Sequence, residues 1–364
     1  MFIQSSFVFC IIFTIFVDGD EYCTTPTGNV GACVSLLECP RVLSALANPK
    51  REALGNLDKY FCSKSGKRDK VCCDVVNYRN VHEPFLRVNT SNKLMSHLYC
   101  GLQHTDDYVH PENEVSIDEF PWLALILLKV FDKGQMHVFP ICTGTLINNK
   151  YVLTSNDCVS KHSESSLTVH LGKFNIENKT MADCVEHMSY NVTECSDSEE
   201  FEVGKLILHP YRVAYTYNND LALLKLARNV IFSDYIRPVC LPTFETKFAE
   251  IGDRLYVTGW NDQFFVKGKP TKKKVSTVLL SNERCSSMLR TTITGYNICT
   301  IGYSNNTEAQ CYLDKGGPLM FANRDRWHLE GILSEFSGRC DNSGPLIFMR
   351  TSQYLEWIYD NVGQ

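Results

Sequence analysis

Cys311-Tyr312-Leu313-Asp314-Lys315-Gly316-Gly317-Pro318-Leu319 says more about the architecture of this chain than any other run of equal length. It sets a cysteine, a bulky leucine, an acid–base pair and a Gly-Gly-Pro run side by side. Around it, from Val115 onward, short apolar runs are separated by turns, which is the pattern of an all-β protein. Trp122–Val130, Thr145–Thr154, Leu167–Leu171, Phe201–Leu208, Leu221–Leu226, Leu255–Gly259 and Leu329–Ser334 read as strands. One helix stands out, at the C-terminal end, where Tyr354, Trp357, Ile358 and Val362 recur at helical spacings. There is no internal repeat and no low-complexity tract.

With 364 residues the chain exceeds one typical domain. A formal net charge of -5, with 21% charged and 11% aromatic residues, is an ordinary balance that argues against nucleic acid as the main partner. Residues 1–19 read as a secretory signal peptide. Their apolar core runs from Phe7 to Val17, too short to span a bilayer, and ends at Asp18-Gly19-Asp20, with cleavage expected after Gly19. The next apolar run, Leu123–Leu128, is only strand-sized, so no membrane span is expected. Seventeen cysteines exceed cytosolic usage, and losing Cys10 with the signal leaves an even set for disulfides in an oxidising compartment. Metal ligation is the competing use of so many cysteines. No paired Cys-x-x-Cys runs occur, so neither a metal nor a cofactor is expected. Acceptor sequons at Asn89, Asn178, Asn191 and Asn305 fit a secreted, extracellular glycoprotein.

Cys23, Cys33, Cys39, Cys62, Cys72 and Cys73 crowd the first part of the chain. A unit of about fifty residues buries too little apolar surface to be stable alone, so disulfides must supply the constraint. Six cysteines allow fifteen pairings. The spacing, closing on an adjacent Cys-Cys, resembles the clip domain of arthropod serine proteases, and the resemblance implies Cys23–Cys72, Cys33–Cys62 and Cys39–Cys73. From Asp74 to Tyr99 neither helical nor strand periodicity is present, and the stretch reads as a linker containing Arg87 and Lys93. The expected organisation is a signal peptide (1–19), a clip domain (20–74), a linker (75–108) and a larger unit (109–364).

The opening stretch resembles the nucleophile loop of the chymotrypsin-like (S1) serine proteases, Cys-x-Gly-Asp-Ser-Gly-Gly-Pro-Leu. The resemblance implies two six-stranded β-barrels with a C-terminal helix. Lys315 stands at the serine position, and Leu313 stands where a glycine serves the oxyanion hole. The family's histidine motif, Leu-Thr-Ala-Ala-His-Cys, matches Leu153-Thr154-Ser155-Asn156-Asp157-Cys158, which puts Asp157 at the base. The aspartate motif is nearly intact as Asn219-Asp220-Leu221-Ala222-Leu223-Leu224, so Asp220 is kept. The chemistry needs a hydroxyl that can be deprotonated, an imidazole that titrates near neutral pH and a carboxylate that orients it. A free aspartate is already ionised at neutral pH and is a poor base toward an alcohol. His162, His170 and Ser155 lie nearby in sequence but read as ordinary loop or surface residues. Asp157, Asp220 and Lys315 are expected to converge, with the ammonium compensating a buried Asp220 and held protonated between two carboxylates.

The same resemblance places the primary specificity pocket on Ala309 at its floor, with Phe336 and Leu346 where wall glycines would admit a side chain. Activation in the family needs a basic residue before Ile-Val-Gly-Gly, but here Tyr108-Val109-His110-Pro111-Glu112 occupies that region, leaving Asp314 without an obvious amine. A cut after Arg87 or Lys93 would lie upstream of Cys100 and release the clip unit. The remaining implied pairs are Cys100–Cys240, Cys142–Cys158, Cys184–Cys195, Cys285–Cys299 and Cys311–Cys340. Lys173, a cation in a calcium-ligand position after Leu171-Gly172, argues against calcium. Lys267, Lys269, Lys272, Lys273 and Lys274 read as a solvated surface loop, with an acidic partner as the alternative. The expected function is a secreted clip-domain serine protease homologue without catalytic activity, binding extracellular proteins of a protease cascade. Family analogy suggests innate immunity, melanisation or Toll-type signalling. An active endopeptidase with altered catalytic residues and an extracellular adhesive or structural protein are the alternatives.

Overall fold

The computed structural model describes residues 22–24, 30–35, 61–62, 70–74, 100–103, 114–178, 180, 182–187, 192–212, 217–243, 246–260, 271–303, 313–323, 326–336 and 344–362. The chain divides into two compact units, Met1–Pro84 and Phe85–Gln364.

In the first unit β1 (Tyr22–Thr24), β2 (Val30–Ser35) and β3 (Lys70–Asp74) form an antiparallel sheet with β2 in the middle. Cys33 stands opposite Cys72 in the β2–β3 register. Cys72 bonds to Cys23 and Cys33 to Cys62, and among the described residues of this unit Cys33, Cys72 and Val71 are buried. Crosslinks thus stand in for the apolar core that so short a unit cannot assemble. Cys39, and with it the Cys39–Cys73 pair, lies outside the described residues.

The second unit is mainly β and contains two closed antiparallel barrels. The first has the order β10-β11-β6-β5-β4-β7 and comprises β4 (Leu123–Asp132), β5 (Gln135–Leu146), β6 (Tyr151–Thr154), β7 (Leu167–Leu171), β10 (Glu199–Leu208) and β11 (Ala222–Leu226). Between β7 and β10 a separate hairpin, β8 (Ala182–His187) and β9 (Val192–Asp197), is closed by Cys184–Cys195. The second barrel has the order β12-β13-β14-β17-β16-β15, with β12 (Arg254–Gly259), β13 (Lys273–Leu280), β14 (Asn297–Gly302), β15 (Pro318–Asn323), β16 (Arg326–Phe336) and β17 (Pro345–Arg350). Trp122, Leu153, Leu171 and Leu224 fill the first barrel, and Leu255, Val257, Leu333 and Phe348 the second. Closure leaves neither barrel an open sheet edge. Cys100–Cys240, Cys142–Cys158 and Cys285–Cys299 crosslink the unit, while Cys311 and Cys340 fall outside the described residues. Among the described residues no helix is long and apolar enough to cross a membrane.

Two strand and helix assignments change. The run Thr145–Thr154 contains the end of β5 and all of β6, parted by a turn in which the Asn148 carboxamide oxygen accepts from the amides of Lys150 and Tyr151, both at 2.8 Å. An Asx turn of this kind ends a strand without interrupting its apolar content. Besides the C-terminal helix Leu355–Asn361 there is a two-turn helix, Asn282–Leu289, capped by Ser281, whose hydroxyl accepts from the Arg284 amide at 3.2 Å. Cys285 is its one buried residue, so it shows no apolar periodicity.

The barrels meet where the turn Leu313–Gly317 lies against β5 and β6. Lys315 accepts the Thr143 amide on its carbonyl at 3.0 Å, and the Gly316 amide donates to the Leu333 carbonyl at 2.8 Å. Gly316 has φ +81°, and a Cβ there would run into the Thr143 carbonyl and the Thr154 hydroxyl. Only glycine fits this seam.

Candidate functional site at the barrel seam

Four short segments bring side chains to the seam. Ser155 and Asp157 open the single-turn helix Asn156–Val159 after β6, Arg212 follows β10, Asp220 precedes β11, and Ser334 and Glu335 end β16. Asn219 carries the chain into Asp220 with φ 60°, a left-handed conformation that asparagine tolerates. Its amide donates to the Tyr354 hydroxyl at 3.1 Å, and its side chain donates to the Tyr211 carbonyl at 2.9 Å.

Asp220 is fully buried. Its Oδ2 accepts from the hydroxyls of Ser155 at 2.7 Å and Ser334 at 2.5 Å, and its Oδ1 accepts from the Asp157 amide at 2.9 Å. Arg212 Nε lies 3.5 Å from the same Oδ1. The guanidinium also grips Asp157, with Nη2 at 2.9 and 3.0 Å from its two oxygens and Nε at 3.2 Å from Oδ1. One planar cation therefore spans two carboxylates, a geometry suited to arginine and not to lysine. Because Ser334 belongs to the second barrel and the other members to the first, the cluster also joins the barrels.

Lys315 does not enter this cluster, which corrects the convergence expected from sequence. Its ammonium forms an ion pair with Glu335 Oε2 at 2.9 Å, on partners whose side chains are 33% and 43% exposed. An ammonium driven against the enclosed Asp220 would have to shed its water, whereas beside Glu335 it keeps part of its hydration. Arg212, with its charge spread over a plane, is the cheaper cation to enclose. Leu313 stands at the sequence position where resemblance expects the oxyanion glycine. Its side chain is buried in the second-barrel core, in the same cluster as Leu255, Val257 and Leu346.

Leu346 is fully buried in that core, opposite Phe336 in the β16–β17 register. Of Phe336 the backbone is described, and Ala309 lies outside the described residues. Asp314 Oδ2 accepts the Trp260 amide at 2.8 Å and borders a cavity of about 30 Å³ lined by Leu125, Ile141, Cys142 and Trp260. The Tyr108–Glu112 region, the linker with Arg87 and Lys93, and the sequons at Asn89, Asn191 and Asn305 lie outside the described residues.

Two lysine expectations take structural form away from the seam. The Lys173 ammonium is buried, 3.3 Å from Asp183 Oδ1 and 2.9 Å from the Thr180 carbonyl. Asp183 also accepts from the amides of Phe174 at 2.7 Å and Asn175 at 2.9 Å and from the Asn178 carboxamide at 2.7 Å. The loop is thus organised around an internal ion pair, and the side-chain nitrogen of the Asn178 sequon is already engaged. Of the basic cluster, Lys267 and Lys269 lie outside the described residues. Lys272 is buried, which overturns its assignment to a solvated loop.

Arg212, Ser334 and Glu335 are the members that sequence reasoning missed, and Ser155, read there as an ordinary loop or surface residue, is in fact buried and donates to Asp220. His209-Pro210-Tyr211-Arg212 matches no catalytic motif, and of its two partners Asp220 is close in sequence but Asp157 is far away along the chain. The single available signal was the charge excess: two acids meeting at one place need a cation from somewhere.

Comparison with known proteins places these features. The trypsin family model matches residues 112–358, and a model described as the regulatory CLIP domain of proteinases matches residues 23–73. The chain is 30% identical over 369 residues to CLIP domain-containing serine protease B10 of Anopheles gambiae, covering 98% of both chains. It is 30% identical over 384 residues to Melanization protease 1 of Drosophila melanogaster, covering 94% of this chain and 93% of the relative. Among solved structures it is similar in fold to the Drosophila Grass clip serine protease of the Toll pathway, with a TM-score of 0.62 at 23% identity over 93% of this chain and 96% of the other.

Proposed function

Because the chain belongs to the trypsin family of serine proteases and carries a regulatory clip domain, we propose that it is a secreted, non-catalytic homologue that serves as a binding cofactor or regulator in an extracellular protease cascade. The observation that carries this reading is the Arg212 fork across Asp157 and Asp220. Family resemblance puts Asp157 at the base, Asp220 at the orienting acid and Lys315 at the nucleophile. A carboxylate clamped by a guanidinium offers no imidazole to accept a hydroxyl proton, and Lys315, ion-paired to Glu335, offers no hydroxyl. The burial of Leu313 and Leu346 supports the same reading, since both side chains stand where resemblance expects glycine.

The disulfide density supports an extracellular setting. The relative named for melanisation supports an immune protease cascade as the context. It and the Anopheles gambiae relative are both named as proteases, which favours the rival reading of an active endopeptidase. One experiment separates the two. The purified full chain is treated with a serine-reactive fluorophosphonate and assayed on arginyl peptide substrates beside a catalytic relative. We expect no covalent label and no turnover, and stoichiometric labelling would overturn the proposal. The regulatory part is tested by adding the chain to a purified clip protease and its protein substrate, where a dose-dependent change in cleavage rate is expected.

A further inference from the structure

The β4–β5 ribbon runs on past the barrel to which it belongs. β4 pairs with β7 no further than Leu128, and β5 pairs with β6 only at Thr145 and Leu146. From Lys129 to Phe139 the two strands therefore have only each other among the described residues. A two-stranded ribbon is marginal in water by itself. This one also exposes Val130, Phe131, Met136, Val138 and Phe139, each between 38% and 70%. Cross-strand partners share a face, so Phe131, Met136 and Val138 lie on one side and Val130, His137 and Phe139 on the other. The rings of His137 and Phe139 stack with centroids 6.1 Å apart. Apolar side chains clustered on both faces of one projecting element mark a surface for contact with another chain.

The two edges of the ribbon differ. On β4, the Lys129 ammonium is held by Glu200 and Glu202 of β10, at 3.1 and 2.8 Å, which sets charge beside that edge. β5 carries no Asp, Glu, Lys or Arg from Gln135 to Leu146. At the tip, Lys133 and Gly134 have φ 48° and 83°, the two left-handed residues of a type I′ turn. Such a turn makes Asp132–Gln135 the closing hydrogen-bonded pair, and the two kinds of pair alternate from there. Met136 and Val138 thus fall at non-hydrogen-bonded positions against Phe131 and Lys129, with their N–H and C=O directed away from β4. Pro140 comes next in that series, where its missing N–H costs the ladder nothing, as expected of an edge strand.

We propose that this edge of β5 pairs with the same edge of a second copy of the chain, giving a two-fold dimer. An axis through His137 sets Met136 of each copy opposite Val138 of the other and forms about four backbone hydrogen bonds. Each apolar residue on the edge then meets an apolar residue, so the edge is complementary to itself. Phe131, Met136 and Val138 of both copies join into one stripe on one face of the combined sheet. The contact is smaller than a standard interface, which makes the association weak and dependent on concentration. The inference goes beyond the catalytic question and holds whether or not the barrels hydrolyse peptides.

The full, disulfide-bonded chain is followed by sedimentation equilibrium from about 1 to about 100 μM. We expect its mass to rise from one copy toward two, and a chain still monomeric at about 100 μM would overturn the proposal. Met136→Lys places an ammonium from each copy beside the paired strands and should raise the dissociation constant at least about tenfold. An unchanged constant would equally overturn it. Crosslinking reads the register. His137→Cys meets its own copy across the axis, at the roughly 4.5 Å Cα separation of a non-hydrogen-bonded pair, which a disulfide can span. Gln135→Cys, by contrast, stands opposite Phe139 of the second copy. Under mild oxidation the first variant should form covalent dimer at least about tenfold faster than the second, and equal rates would count against the pairing. Should either added cysteine disturb the native disulfides, the parent and Met136→Lys masses decide the question.

Discussion

Asp220 has no access to solvent, and a carboxylate so enclosed destabilises the fold by several kcal/mol unless donors and a counter-charge surround it. Two hydroxyls, one amide and the Arg212 guanidinium do so here. Arg212→Ala should therefore lower the free energy of unfolding by about 3 kcal/mol, measured by urea denaturation. Arg212→Lys should recover only part of that loss, because one ammonium cannot span both carboxylates. Asp157→Asn should be mild, below about 1 kcal/mol, since the Asp157 side chain is 41% exposed and its ion pair is screened. An Arg212→Ala variant as stable as the parent would show that hydrogen bonds alone balance Asp220. At this scale the sequence was only partly legible. Asp157, Asp220 and Lys315 could be found because flanks that match the family's motifs, such as Leu153-Thr154 and Gly316-Gly317-Pro318, mark their positions. The direction each side chain takes could not be found, because it depends on partners supplied by other strands. Lys315 turns to Glu335, and Arg212 takes the place the lysine was expected to fill.

Between β7 and the β8–β9 hairpin, the loop is built around an ion pair whose side chains are both almost wholly enclosed, Lys173 with Asp183. Lys173→Met removes the cation but leaves Asp183 buried, so it should cost about 3 kcal/mol and speed exchange of the Phe174 and Asn175 amides that Asp183 holds. The double variant Lys173→Met with Asp183→Leu should be closer to the parent than the single one, because no charge is then stranded. A larger loss in the double variant would mean that Asp183 acts through its amide hydrogen bonds and not through the ion pair. Legibility of elements followed burial pattern in the same way. β7 and β11, almost wholly buried, read directly as apolar runs. The helix Asn282–Leu289 was missed because it buries only Cys285, although Ser281 at its start was a usable capping signal. The outer part of β5, Gln135–Phe139, was missed because it leaves the barrel as a ribbon with Phe131 and Met136 exposed on its tip.

For the whole molecule, the described clip-unit disulfides, Cys23–Cys72 and Cys33–Cys62, close within the first unit, and Cys100–Cys240 closes within the second. Cleavage after Arg87 or Lys93 should accordingly release the clip unit on non-reducing electrophoresis, and a fragment that stays attached until reduction would contradict this. Stability against pH should show two opposed contributions. Burial among Tyr211, Tyr354 and Trp357 pushes His209 down from 6.5 to about 4. The unfolded chain then binds a proton near 6.5 that the folded chain refuses, so this contribution is complete above 6.5 and is lost as pH falls toward 4. Burial pushes Glu330 up from 4.5 to about 7, against the opposing pull of the Ala249 amide at 3.2 Å and the nearby Arg350. Its folded form keeps a proton that the unfolded chain releases near 4.5, so that contribution is present at low pH and is lost as pH rises to 7. Each spans up to about 3 kcal/mol, and between about pH 4.5 and 6.5 they largely cancel. His209→Phe should leave the Glu330 slope alone, so the variant loses stability relative to the parent as pH rises through that range. Glu330→Gln, which keeps an oxygen for the Ala249 amide, should lose stability relative to the parent as pH falls. Melting temperatures of the two variants, each subtracted from the parent across this range, should therefore slope in opposite directions, and parallel curves would mean that neither group titrates as its burial requires.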